Sequence, residues 1–165
     1  MLDFDAIHSG ENETIANLIR PAGYFNIKAK RLKNLLKKIA SAGGMDAFFQ
    51  METASMRDML LNVNGIGPET ADSICCYAAG RPVFVVDAYT KRMLNRHGFA
   101  GEKTTYHEIQ AMFMNALKSD IQLFKDLHAY IVFVGKGYCR KRNPNCSQCP
   151  VSPLWESPPY SILHS

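Results

Sequence analysis

The sequence predicts a helical fold, because apolar residues recur at helical spacing and because glycine and proline interrupt the periodic segments. Apolar positions at i, i+3, i+4 and i+7 lie on one face of a helix. Neither an internal repeat nor a low-complexity tract is visible. The pattern predicts seven helices, at about residues 12–20, 27–41, 55–62, 68–79, 88–97, 105–118 and 120–135.

The helix expected at residues 27–41 is amphipathic and basic. Its apolar stripe consists of Leu32, Leu35, Leu36 and Ile39. Residues 1–19 contain four acids and no base, whereas residues 20–38 contain no acid and seven bases, at Arg20, Lys28, Lys30, Arg31, Lys33, Lys37 and Lys38. Most of these bases fall opposite the stripe, so a solvated helix face explains them better than a phosphate-binding role.

Two glycines predict a tight hairpin between the helices expected at residues 55–62 and 68–79. Gly65 and Gly67 flank Ile66, and glycine tolerates left-handed dihedral angles and close approach of another backbone. Pro68 suits the first turn of the following helix. The exposed amides of Gly65, Gly67 and Glu69 would then lie at a helix N-terminus, where a phosphate is attracted. A plain helix-turn-helix corner is the alternative, because a lone Gly-x-Gly is common.

Asp87 stands between an apolar, strand-like run at residues 83–86 and the helix expected from about Ala88. An aspartate in this position is most often an N-cap, which accepts hydrogen bonds from the first free amides. The same position would also keep the carboxylate ionised and fixed. Stabilising a developing cation requires such a group, so Asp87 is a candidate catalytic residue.

The last two predicted helices carry apolar stripes that we expect to lie in the core. The stripe in residues 120–135 consists of Leu123, Leu127, Tyr130, Ile131 and Val134. His97, His107 and His128 have no carboxylate or cysteine at ligand spacing, so we interpret them as structural. Residues 150–165 contain four prolines without periodicity and are expected to form an irregular tail.

The residues around the hairpin and Asp87 resemble a known family. VNGIGPETADSICCYA followed by VFVVDAYTKR is similar to the helix-hairpin-helix and Gly/Pro-rich loop with catalytic aspartate of the endonuclease III superfamily. Within it, the 3-methyladenine DNA glycosylases of endonuclease III type are the closest match. IRPAGYFNIKAKRLKNL and HAYIVFVGKGYCRKRNPNCSQCP resemble the same branch. The resemblance spans roughly residues 14–150.

The resemblance implies an all-α fold and a DNA base-excision function. It implies that the hairpin binds the backbone of double-stranded DNA beside a flipped-out damaged base. Asp87 would stabilise positive charge on the sugar and assist attack by water. DNA contacts would come from the residues Gly65, Ile66, Gly67, Glu69 and Thr70, together with Lys136 and Arg140 of a second basic cluster.

Two further site features follow from the resemblance. Relatives that also cut the strand use a lysine in the helix after the hairpin as a Schiff-base nucleophile, and this chain has Glu69 there. A carboxylate cannot form a Schiff base, so a monofunctional, water-using glycosylase is expected rather than a lyase. Family hairpins also bind a monovalent cation through backbone carbonyls, here those of Leu61, Val63 and Ile66.

The cysteines depart from the family pattern. Cys139, Cys146 and Cys149 match the first three ligands of the family's [4Fe-4S] cluster, but Trp155 stands where the fourth cysteine would be. Such clusters normally require four thiolates. A loop without metal is the preferred interpretation. A cluster with an outside ligand, or zinc bound by three thiolates and another group, are the alternatives.

A second departure concerns the front of the domain. In the superfamily, the usual N-terminal helices, a wedge and part of the base pocket precede the matched region, and we expect no counterpart of them here. We therefore expect exposed apolar helix faces that favour self-association. The expected organisation is a helical part at residues 1–103 with the hairpin and Asp87, C-terminal helices and a cysteine loop at 104–150, and a tail at 151–165.

These observations predict a DNA glycosylase that hydrolyses the N-glycosidic bond of an alkylated or otherwise damaged base. A non-catalytic helix-hairpin-helix module is the alternative from another class, and a glycosylase with lyase activity is a third. The chain has 165 residues, of which 47% are hydrophobic, and no apolar run is long enough to span a bilayer. The acidic N-terminus does not resemble a secretory signal, so a cytoplasmic, nucleoid-associated protein is expected.

Overall fold

The computed structural model describes residues 3–154, and within this range the regular structure is helical without a strand. None of the described helices is both long enough and apolar enough to span a membrane. The α-helices are α1 Phe4–Ser9, α2 Asn12–Leu18, α3 Phe25–Ser41, α4 Gly44–Gln50, α5 Thr53–Leu61, α6 Pro68–Ser73, α7 Ala88–Arg96, α8 Tyr106–Ala116 and α9 Ile121–Gly137.

All seven helices predicted from periodicity are present, and the predicted all-α fold is confirmed. The helix expected at 68–79 is α6 followed directly by a π-helical segment, Ile74–Ala78. Two short helices were not predicted, α1 and α4. Helix α4 was not predicted because two glycines, Gly43 and Gly44, stand where it begins. They have φ of 101° and 87°, and they begin the helix instead of interrupting it.

The described chain divides into two compact units after Ala71. In the first unit, α2 packs on α3, and Ile15, Ala16 and Ala29 form a core covered by half-buried apolar side chains. The second unit has a larger core, formed by the buried residues Phe84, Val86, Met93, Ala100, Ile109, Phe124, Ile131, Val134 and Cys139. The three-part division predicted from the sequence, with a boundary after residue 103, stays a prediction about domains.

Close packing of α7 against α9 organises the second unit. The ring of Tyr89 lies directly on Gly135, where a Cβ would be only 2.5 Å from Tyr89 Cδ1. Arg92 extends from α7 and donates to the carbonyls of Cys139 (2.7 Å) and Gly135 (3.0 Å). Arg96 donates to the carbonyls of Arg140 and Lys141. Two arginines of α7 therefore hold the C-terminal end of α9 and the start of the cysteine loop.

The core face of α9 differs from the predicted stripe. Phe124 is buried, together with Ile131 and Val134, whereas Leu123 and Tyr130 are 39% and 67% exposed. The prediction was wrong for those two positions because the choice between adjacent apolar residues depends on the packing partner. Large exposed apolar side chains occur in both units, for example Leu18 and Phe133. Self-association through them stays a prediction.

Residues 83–86 are buried, but they do not form the strand that their apolar pattern suggested. Two of their backbone polar groups bind side chains instead of a neighbouring strand. The amide of Gln110 donates to the carbonyl of Phe84 (2.7 Å), and the Val86 N–H donates to the hydroxyl of Tyr106 (3.4 Å). Gln110 and Tyr106 also donate to the fully buried carboxylate of Asp72, each at 2.8 Å. This polar network holds the segment that ends at Asp87.

Candidate functional site

Asp87 is the N-cap of α7, as the sequence predicted. Its Oδ1 accepts from the Thr90 N–H at 2.8 Å and from the Thr90 hydroxyl at 2.9 Å. The residue is 9% exposed, and Thr90 is fully buried. The cap therefore immobilises one carboxylate oxygen at the positive end of a helix dipole. The other oxygen, Oδ2, remains for other interactions.

His128 of α9 faces Oδ2 of Asp87. The imidazole Nε2 lies 3.5 Å from Oδ2, an ion-pair distance that is long for a hydrogen bond. Nε2 is buried, and no described residue is within good hydrogen-bond geometry of it. The other ring nitrogen, Nδ1, is 2.6 Å from the hydroxyl of Tyr77 in the π-helical segment. Asp87, His128 and Tyr77 thus form a row of polar groups in the second unit.

Opposing effects determine the pKa of Asp87. Burial is the largest effect and would raise this pKa, because it disfavours the charged form. The side chain of His128 and the two donors of Thr90 favour the carboxylate and together lower the pKa below its ordinary value. Burial, Cys76 and Asp87 raise the pKa of Tyr77, which therefore stays protonated. Asp87 is thus anionic, and the Tyr77 hydroxyl can donate to His128.

The interpretation of His128 as a merely structural residue missed this contact with Asp87. The two residues are 41 positions apart, so no ligand-type spacing could indicate the pair. Helical register gave a weak signal, because His128 lies four residues after the buried Phe124 and three before the buried Ile131. His97 and His107 have no such relation to Asp87 in the described structure.

Lys136 and Arg140, predicted to contact DNA, lie together at the end of α9. They line an open groove of about 450 Å³ with Lys141 and with the first residues of α7, Ala88 and Tyr89. All three basic side chains are exposed. The groove therefore presents positive charge beside the helix that Asp87 begins.

The hairpin forms a tight turn, as predicted. The Ile66 N–H donates to the carbonyl of Val63 at 3.0 Å, and Gly65 has φ of +95°. Glu69 and Thr70 occupy the first turn of α6, which starts at Pro68. Within the described chain, the N–H groups of Gly65 and Gly67 have no hydrogen-bond partner. These two amides are available to an acceptor from outside the protein.

The carbonyls expected to hold a monovalent cation suit such an ion. Those of Leu61 and Ile66 accept no hydrogen bond from the described residues, and that of Val63 accepts only from Ile66. Hard cations prefer oxygen ligands of this kind. Leu61, Val63 and Ile66 could hold the ion and thereby stiffen the turn.

The structure assigns the predicted residues to separate units. Residues 61–70 belong to the first unit. The contacting residues Asp87, His128 and Tyr77 belong to the second unit, and so does the groove lined by Lys136 and Arg140. Within the second unit, Asp87, His128 and Tyr77 are in contact, and Lys136 and Arg140 share one groove. The sequence predicted the members of each group except Tyr77 and His128.

The three cysteines border one cavity but do not form a ligand set. A cavity of about 350 Å³ is lined by Cys139, Cys146 and Cys149, together with His97 and Arg96. Among residues 3–154, no three His, Cys, Asp or Glu side chains converge closely enough to hold a metal ion. Arg96 donates to Cys139 Sγ at 3.3 Å. Trp155 lies outside the described residues, and the cofactor state stays a prediction.

Comparison with known proteins identifies the family. Residues 1–119 match the family described as HhH-GPD superfamily base excision DNA repair protein. The chain belongs to this superfamily. The resemblance to the endonuclease III superfamily that the hairpin and Asp87 indicated is confirmed.

Two curated relatives illustrate the similarity. A protein of Methanocaldococcus jannaschii named "Putative DNA repair glycosylase" is 46% identical over 144 residues, which are 86% of this chain and 65% of that protein. An endonuclease III of Sulfolobus acidocaldarius is 30% identical over 145 residues, 88% of this chain and 63% of that protein. The chain thus spans less than two thirds of the length of either relative.

A solved structure supports the fold. The H. pylori 3-methyladenine DNA glycosylase bound to 1,N6-ethenoadenine superposes with a TM-score of 0.67 and 31% identity. The match covers 81% of this chain and 66% of that one. This HhH-GPD chain therefore has the helical architecture of a DNA glycosylase over most of its length.

Proposed function

We propose that the protein is a DNA glycosylase that hydrolyses the N-glycosidic bond of a damaged base in double-stranded DNA. The observation that carries this proposal is the buried, anionic Asp87, held at an N-cap and beside His128, in a chain of a base excision repair superfamily. If Asp87 served only to stabilise the helix, its N-cap hydrogen bonds would be sufficient. The additional contact between His128 and Oδ2 favours the ionised carboxylate.

Asp87 acts by stabilising charge. As the bond between base and sugar breaks, positive charge develops on the sugar, and a fixed carboxylate in a water-poor site stabilises it strongly. Oδ1 is occupied by both donors of Thr90, so Oδ2 is the oxygen that faces the reaction. The same oxygen can accept a proton from the attacking water.

His128 and Tyr77 serve Asp87 as positioning residues. With the Tyr77 hydroxyl donating to Nδ1, the neutral imidazole carries its proton on Nε2, toward Oδ2 of Asp87. This arrangement needs no charge on His128.

DNA binding involves both units. The free amides of Gly65 and Gly67 bind a phosphate, with Ile66, Glu69 and Thr70 forming the rest of the turn. Lys136 and Arg140 bind further phosphates from their shared groove. The target nucleotide is flipped from the stack, which costs least at a damaged base. Such a substrate implies a cytoplasmic, nucleoid-associated location.

The proposed reaction ends with an abasic site and an intact strand. Schiff-base chemistry needs an amine nucleophile. The helix after the hairpin offers the carboxylate of Glu69 at the position of the lyase lysine. A monofunctional, hydrolytic enzyme is therefore favoured over a lyase.

An alkylated base is the favoured substrate. Residue similarity to the 3-methyladenine branch supports this choice, and so does the 31% identity to a structure bound to 1,N6-ethenoadenine. We therefore take 3-methyladenine and 1,N6-ethenoadenine as the first bases to test. Uracil and an oxidised pyrimidine serve as comparison substrates.

The test measures base release from labelled duplexes that each carry one of these bases. The wild-type chain and Asp87→Asn are compared, with strand breaks scored before and after alkali and with borohydride added in parallel. We expect release by the wild type only, breaks only after alkali, and no trapped adduct. A borohydride adduct would contradict the role given to Glu69. Duplex binding without release by the wild type would instead support a DNA-binding module.

A further inference from the structure

Helix α3 combines many bases with a complete absence of acids. Residues Phe25–Ser41 include Lys28, Lys30, Arg31, Lys33, Lys37 and Lys38. The hairpin residues 62–67 carry no charged side chain. A surface formed by these two segments is therefore strongly positive.

The same helix lies against the hairpin in the first unit. Asn34 Nδ2 donates to the carbonyl of Asn64 at 3.1 Å. The stem of Arg31 covers Gly65 so closely that a Cβ there would be 2.5 Å from Arg31 Cγ. Arg31 therefore extends along the turn that has the two free amides.

An open groove of about 360 Å³ separates the helix from the hairpin. Its lining is polar on both sides and consists of Asn34, Lys37, Lys38, Ser41, Asn62, Val63 and Asn64. The carboxylate of Asp58 contacts this lining, because it accepts from Asn62 Nδ2 at 3.4 Å. Helix spacing of three and four residues places the α3 members on one face.

The bases of α3 fall into two groups. Lys28 and Lys33 donate to the carbonyls of Ala22 and Gly10 and so connect α3 to neighbouring segments. Lys30, Arg31, Lys37 and Lys38 are exposed, and no residue of 3–154 forms a hydrogen bond or ion pair with their side-chain nitrogens. Of these unpaired bases, Arg31 covers Gly65 of the hairpin, and Lys37 and Lys38 line the groove.

We propose that the groove between α3 and the hairpin binds the DNA sugar-phosphate backbone, with Arg31 and Lys38 each contacting a phosphate. An arginine presents a planar fork of donors that suits phosphate oxygens, and a lysine supplies a point charge. Asn34 fixes the helix to the hairpin and so sets the distance between these bases and the free amides. This inference rests on the proposed function. It extends the DNA contacts to α3, whose bases are explained as a solvated helix face when the sequence alone is considered.

The test is the salt dependence of binding to an undamaged duplex, measured by fluorescence anisotropy between 50 and 200 mM salt. Arg31→Ala, Lys38→Ala and the double variant are compared with the wild type. Lys103→Ala is the matched control, because it removes one exposed positive charge from the second unit. Each lost phosphate contact lowers the slope of log affinity against log salt by about 0.9.

The expected result is a stepwise loss of salt dependence. The affinity ratio between 50 and 200 mM salt should shrink by about 3.5-fold in each single variant and about 12-fold in the double variant. Lys103→Ala should match the wild type. The side chain of Lys38 forms no hydrogen bond or ion pair with a described residue, so Lys38→Ala remains informative if Arg31→Ala is unstable.

The outcomes separate this inference from the proposed function. If the slopes of the α3 variants are unchanged and the wild type still releases the base, only the proposal that this groove binds DNA is overturned. An equal change in Lys103→Ala also overturns it, because the effect would then reflect net charge only. A wild-type chain that binds no duplex overturns both.

Discussion

Nε2 of His128 lies 3.5 Å from Oδ2 of Asp87, and the two residues are 41 positions apart in the sequence. The imidazole approaches the one carboxylate oxygen that the N-cap leaves free, since Oδ1 accepts both donors of Thr90. The cap thus orients the carboxylate, and His128 favours its charged form.

Substitution His128→Ala should move the acid limb of the activity profile to higher pH. His128 lowers the pKa of Asp87, and burial raises it, so removing the imidazole leaves burial less opposed and the pKa rises. Asp87 then becomes protonated, and inactive, at a higher pH than in the wild type. The measurement is the single-turnover rate of base release against pH.

Two further variants control this experiment. Tyr77→Phe keeps the imidazole but removes its partner at Nδ1, so a smaller shift in the same direction is expected. His107→Ala changes an exposed histidine and should leave the profile unchanged. An acid limb that stays in place in His128→Ala would contradict the positioning role.

Asp87→Asn and Asp87→Ala should differ in stability but not in activity. Asparagine caps a helix about as well as aspartate, whereas alanine loses the cap at a cost of about 1 kcal/mol. Neither variant carries the negative charge that stabilises the sugar cation. Chemical denaturation and base release, measured on both, test this. Substantial activity in Asp87→Asn would mean that the cap, and not the charge, is what catalysis needs.

Gly135→Ala should destabilise the protein by about 1–3 kcal/mol, because the added methyl group would overlap with Tyr89. The nearest atoms include Tyr89 Cβ at 2.8 Å, which cannot move without shifting α7. Gly137→Ala is the control in the same helix, since a Cβ there would meet no atom within 4 Å apart from its chain neighbours and the adjacent helix backbone. Urea denaturation should show loss only for the first variant. Equal stability of both would indicate that α7 and α9 can separate at little cost.

Asp72→Ala should cost about 1–3 kcal/mol, because it removes the acceptor of the Tyr106 hydroxyl and one of the two acceptors of the Gln110 amide. Asp72→Asn keeps one acceptor oxygen in the same place and should cost less. The free energy of unfolding measures both. If alanine and asparagine cost the same, the acceptor oxygen that asparagine keeps would contribute nothing to stability.

The features that were predicted correctly from the sequence are those set by local patterns. The seven periodic segments are helices, and Asp87 caps α7, because capping and amphipathic spacing involve residues a few positions apart. The hairpin followed from two glycines, of which Gly65 has the positive φ that the turn requires. Where two choices were locally equivalent, as between Leu123 and Phe124, no local pattern favoured the residue that is buried.

By itself, then, the sequence determined the helical elements, the hairpin, the position of Asp87 and the superfamily. Only the tertiary structure decided that His128 approaches Asp87 and that α3 directs Arg31 and Lys38 toward the hairpin. The physical reason is that backbone dihedral preferences and caps act between near neighbours in the chain. Contacts between side chains on different helices depend on how those helices pack, and that arrangement is set by the whole core.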